Sequence, residues 1–166
     1  MDFFISNSGY KGDKLKKIEK QLLNLAIGEF VALFTFVFVF RLLNLGMACL
    51  LAFSYLAFIL LQGSIYWFYR YILLIKRKSL SLNARKSLSV VRQFDIVLAV
   101  VIIIIMPIIK SNNKDLIIAI GLFIFGIVEY INYYWYRLSY GKSGFNIRIL
   151  LNKKIQKSSI NKLISK

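Results

Sequence analysis

Four apolar runs, roughly 22–40, 47–69, 94–109 and 116–136, dominate this chain, and the charges between them are unevenly shared. The segment before the first run carries Lys11, Lys14, Lys16, Lys17 and Lys20. The segment between the second and third runs carries seven basic residues, from Arg70 to Arg92. The segment after the fourth carries eight, from Arg137 to Lys166. Only Arg41, Lys110 and Lys114, of 23 Lys and Arg, sit in the two alternate connections. About 20 apolar residues cross the hydrocarbon as a helix, and Lys and Arg concentrate on the cytoplasmic side of such helices. The expected fold is therefore an all-α transmembrane four-helix bundle with both termini and the central loop in the cytoplasm. Domain organisation follows: a four-helix transmembrane domain over 1–140 and a basic amphipathic cytoplasmic tail over 141–166.

Composition narrows the chemistry. With 58% hydrophobic residues and a mean hydropathy of +0.65, the 166 residues leave little for a separate soluble domain. The net charge of +16 invites a nucleic-acid reading. It lies beside apolar spans without a recognition motif, and the plainer cause is orientation and attraction to anionic headgroups. No nucleic-acid partner is expected. Nothing before the first run reads as a cleavable signal peptide, so that run is expected to stay as an anchor. Cys49 is the one cysteine, which excludes an intrachain disulfide and a CxxC motif and reads as core filler. There is no histidine, the commonest general base and metal ligand. Neither an enzyme, nor a metal site, nor a cofactor is expected.

Local patterns fill in the connections. Residues 1–9 read as a frayed end, and Leu15, Ile18 and Leu22 among lysines give an interfacial helix leading into the first span. Asn44 and Gly46 break the chain into a tight turn. The central segment repeats Arg-Lys-Ser-Leu-Ser at 77–81 and 85–89, and Leu80, Ala84, Leu88 and Val91 share one helical face. That predicts an amphipathic surface helix. The β-branched run 100–105 would suggest a strand in water, but in lipid backbone groups must be satisfied within the segment, so a helix is expected. Pro107 falls near its end, and Ser111, Asn112 and Asn113 give the second external turn. Gly141 and Gly144 suggest a hinge before a second amphipathic stretch that would lie on the anionic leaflet.

Ionisable groups inside spans are costly and mark function by default. Glu29 lies nine residues from Lys20, Gln62 eight from Arg70 and Glu129 eight from Arg137. At about 1.5 Å per residue these fall at one depth. Glu29, Gln62, Glu129 and Asn132 thus form a candidate polar layer. It carries three readings: a hydrogen-bonded structural knot, a proton- or cation-binding layer, and a contact with lipid or a partner. Asp95, three residues past Arg92, reads as an interfacial cap or an ion-pair partner of that arginine.

Aromatic residues crowd one end only. Eight of ten tyrosines and both tryptophans fall near the basic ends of the second and fourth runs. An aromatic belt should occupy both interfaces. A belt is still the ordinary reading; the one-sided excess leaves open beside it a contact surface for lipid or a partner: Tyr66, Trp67, Tyr69, Arg70, Tyr133, Trp135, Tyr136 and Arg137. The stretches Leu61–Arg70 and Glu129–Tyr140 align with each other, which leaves a parallel duplication of the two hairpins open.

Those two stretches resemble small four-span membrane proteins of low-GC Gram-positive bacteria, some labelled general stress proteins. The resemblance implies the four-span fold and supplies no site residues. Four spans with a Glu in the first also resemble small multidrug resistance transporters. The long basic loop, the extended tail and the absence of a Gly-rich third span depart from that pattern.

The sequence therefore leads to a non-enzymatic integral protein of the bacterial cytoplasmic membrane, acting through helix and lipid contacts as an accessory subunit, stress or immunity protein. Its expected partners are the bilayer with its anionic headgroups and another membrane protein or a second copy. The alternative is a small oligomeric ion- or proton-coupled transporter using Glu29 and Glu129.

Overall fold

The computed structural model describes residues 3–43, 45–136 and 157–164, with side chains from residue 16 onward except at 163. The chain is all-helical among these residues. Helices α1 (Phe3–Leu42), α2 (Met47–Ile75), α3 (Leu82–Ile109) and α4 (Asn113–Tyr134) are followed by a short α5 (Ser159–Ile164). Each of α1 to α4 contains a stretch long and apolar enough to cross a membrane.

Helix α2 is the hub. It packs against α1, α3 and α4. Over half of its apolar window is buried, against 6% of α1's. Along the α2–α4 contact, Ala48, Cys49, Ala52, Gly63 and Gly126 keep side chains short, and small residues let membrane helices approach closely. A Cβ on Gly63 would meet the Tyr133 ring at 2.5 Å, and one on Gly126 would meet Tyr55 at 2.8 Å. Helix α1 rests on α2 through stacked Phe40 and Phe53 rings, 4.4 Å apart, and a hydrogen bond from Ser64 Oγ to the Ala26 carbonyl. It reaches α4 through side chains, with Phe36 and Phe125 5.8 Å apart.

The turns follow the sequence breakers. Gly46 caps α2, and Asn112 caps α4 by accepting from Asp115 N at 2.8 Å. A residue unremarked in the sequence joins the two hairpins here. The buried Asp115 carboxylate accepts from the backbone N–H of Ala48, Cys49 and Ser111. It thus satisfies donors that the first turn of α2 leaves open. The carboxylate sits where a Cβ on Gly46 would be. Cys49 is core filler with one addition: its thiol donates to the Asp115 carbonyl.

Two expectations are corrected. The central amphipathic segment is not a separate surface helix. Residues 82–92 are the first turns of α3, capped by Ser81, whose side chain accepts from Ala84 N. No breaker separates Arg92 from the apolar run, so the change from basic to apolar side chains passes along one continuous helix. Within that helix Asp95 is not an interfacial cap; it is fully buried. The described part of the tail folds back on the bundle. Ser158 N donates to the Trp135 carbonyl, and Ile160 joins the core at 2% exposure. Gly141, Gly144 and the other features expected over 137–156 lie outside the described residues.

Candidate functional site

The polar residues of the basic half separate into two groups. The first is closed. The Gln62 side-chain amide donates to Asp95 Oδ1 at 2.8 Å, and its carbonyl oxygen accepts from the Tyr134 hydroxyl at 2.8 Å. Asp95 and Tyr134 are 0% and 1% exposed. Asp95 Oδ2 and the nearby Tyr55 hydroxyl are buried with no hydrogen-bond partner among the described residues. Beside them the Tyr130 hydroxyl donates to the Arg92 carbonyl, the Trp135 indole donates to Tyr130, and the Arg92 guanidinium covers the Trp135 ring at 5.4 Å. This group ties α2, α3 and α4 together, and a buried polar network of this kind fixes register.

The second group surrounds space. Glu29 from α1, Tyr66 and Trp67 from α2, and Asn132 and Tyr133 from α4 line a cavity of about 100 Å³, closed by Ser158, Ser159 and Ile160. Asn132 Nδ2 donates to Glu129 Oε2 at 3.3 Å, and Glu129 lies close enough to Glu29 to repel it. The Tyr133 hydroxyl is buried beside the Glu29 carboxyl but makes no well-formed hydrogen bond. The Tyr66 hydroxyl is buried with no hydrogen-bond partner among the described residues. A buried hydroxyl without a partner costs about 1–3 kcal/mol. Glu29 is the one carboxylate among the lining residues, and the space is wide enough for water-sized species.

The expected four-residue layer is thus divided. Glu29, Glu129 and Asn132 come together, whereas Gln62 belongs with Asp95. Of the expected contact surface, Tyr66 and Tyr133 are each 4% exposed and line the cavity, as does the half-buried Trp67. Tyr69 and Arg70 are half-buried, and Trp135 and Tyr136 remain exposed at about 40%. Arg137 lies outside the described residues. Much of the one-sided aromatic crowding therefore faces inward.

Asp95 was within reach of the sequence. Leu88, Val91, Asp95, Ala99, Ile102 and Met106 make one helical stripe turned to the core, and it becomes visible only if α3 is taken as unbroken. Asp115 had a weaker signal, an acidic residue in a first helical turn. The chain matches no protein-family model, no curated protein and no solved structure.

Proposed function

We propose that this chain is a non-enzymatic protein of the bacterial cytoplasmic membrane, with both termini inside, that binds a small monovalent cation or a proton at Glu29 and moves it as part of a small oligomer. One observation carries the reading: Glu29 of α1 lines a cavity together with Tyr66, Tyr133 and Asn132, and the Tyr133 hydroxyl lies beside its carboxyl. A lone carboxylate in lipid is costly and is relieved by a proton or a cation. The Glu29 carboxylate, with the Tyr133 hydroxyl beside it, offers hard oxygen to such a charge. Glu129, held by Asn132, adds negative potential behind the site. Four spans enclose little volume, and the exposed apolar face of α1 (Ile27, Val31, Phe34) offers a surface for a second copy.

The test is flux in proteoliposomes. Vesicles loaded with a pH-, sodium- or potassium-sensitive dye are given the matching proton, sodium or potassium gradient. The native protein should dissipate one of them, and Glu29→Gln should reduce the rate to that of protein-free vesicles. Native flux at the empty-vesicle rate, or undiminished flux in Glu29→Gln, removes the reading. A second reading, an accessory, stress or immunity protein acting through helix contacts, draws on the same face of α1. Its mark is a single membrane partner that cross-links to α1 and is retained by Glu29→Gln.

A further inference from the structure

A second cavity, of about 260 Å³, lies at the basic end between α1, α2 and the start of α3. Arg70, Lys78 and Arg85 line it together with Ser79, and none of its lining residues is acidic. Its remaining wall is leucine and isoleucine, from Ile18 and Leu22 of α1 and Leu73 and Leu74 of α2. We propose that this cavity binds the phosphate of an anionic phospholipid headgroup, with the upper acyl and glycerol part against the apolar wall. The binding is independent of the Glu29 reading.

Three observations converge on it. First, Arg85 Nε is buried with no hydrogen-bond partner among the described residues. A buried guanidinium nitrogen is costly unless an acceptor meets it, and guanidinium and phosphate match as a two-pronged pair. Second, the chain reverses here to bring the cations together. Helix α2 ends with Lys78 N donating to the Leu73 carbonyl and Arg77 N donating to the Leu74 carbonyl. That double bond pattern is a Schellman turn, which returns Lys78 toward α2. It holds Arg77 at φ 51°, where glycine is the usual occupant. Third, α3 begins at Leu82, with only its cap Ser81 between it and the lining residues Ser79 and Leu80, so its positive end adds to the field. Charge on one wall and hydrocarbon on the other favour a lipid over a free anion.

The experiment is native mass spectrometry of the full chain in neutral detergent, titrated with phosphatidylglycerol, with phosphatidylcholine and with soluble glycerol phosphate. Phosphatidylglycerol should be retained in preference to phosphatidylcholine. Arg70→Gln and Arg85→Gln should each weaken it about fivefold, and the pair roughly thirtyfold. Removing the same charge from exposed positions outside the cavity, with Lys76→Gln and Lys86→Gln, should change it by no more than about twofold. Arg85→Lys keeps the charge and loses the fork, so it carries the test if Arg85→Gln does not fold; it should still bind more weakly than the native chain. Equal losses in the two pairs, equal retention of phosphatidylcholine, or displacement by glycerol phosphate at lipid concentrations would each overturn the proposal.

Discussion

The Gln62 side chain stands between Asp95 on α3 and Tyr134 on α4, donating to one and accepting from the other, each at 2.8 Å. Replacing Gln62 with Leu strands both partners in the bundle core. The expected loss is about 1–3 kcal/mol. Asp95→Asn keeps an acceptor for the Gln62 amide and should cost less, about 0.6 kcal/mol on the scale of membrane hydrogen bonds. Thermal unfolding in detergent measures both. Cys49, the chain's one thiol and fully buried, reports it by becoming reactive to a maleimide dye. Equal melting of Gln62→Leu and the native chain would mean that this bridge does not hold the helices.

Gly63 matters through the ring it touches. Gly63→Ala must push Tyr133 away, at a cost of about 1–3 kcal/mol. Because Tyr133 also lines the Glu29 cavity, the same change should lower flux. Gly28→Ala is the control, since its added methyl meets nothing within 4 Å. It should be neutral or stabilising by up to about 1 kcal/mol. Similar effects at both glycines would contradict the close α2–α4 approach.

How much of this was legible in the sequence depends on the kind of force involved. The spans and turns came from hydropathy, charge and breakers, all of which act locally, and the four apolar helices follow them. Glu29 and Glu129 stood out because a carboxylate in an apolar run is conspicuous on its own. Asp95 was hidden by the assumption that basic and apolar segments are different helices. Gln62 was assigned to the wrong neighbours because depth alone does not say which face of α2 points where. The inward turn of Tyr133 depends on Gly63, whose missing side chain makes room for its ring.

Asp115 clamps the two hairpins at the end opposite the basic cluster. Asp115→Ala removes the acceptor for three backbone N–H groups and should cost about 1–2 kcal/mol. Cys49, whose own N–H is among them, should label faster well below the melting temperature. Asp115→Asn retains one acceptor oxygen and should fall between. Unchanged labelling in Asp115→Ala would remove the clamp.

Arg77 stands in a backbone conformation that disfavours a side chain by roughly 1–2 kcal/mol. Arg77→Gly should relieve part of that, offset by the greater freedom glycine has when unfolded. A net gain of about 0.5–1 kcal/mol in unfolding stability is expected. A loss would mean that the Arg77 side chain contributes more than the turn costs it.

The central claim is that Glu29, and not Asp95, is the carboxyl open to a small cation. Carbodiimide labelling followed by peptide mapping distinguishes them in the native membrane. The account predicts modification at Glu29, slowed by the same cation that the protein moves in vesicles, with Asp95 spared behind Gln62. Modification of Asp95 with Glu29 untouched would contradict it.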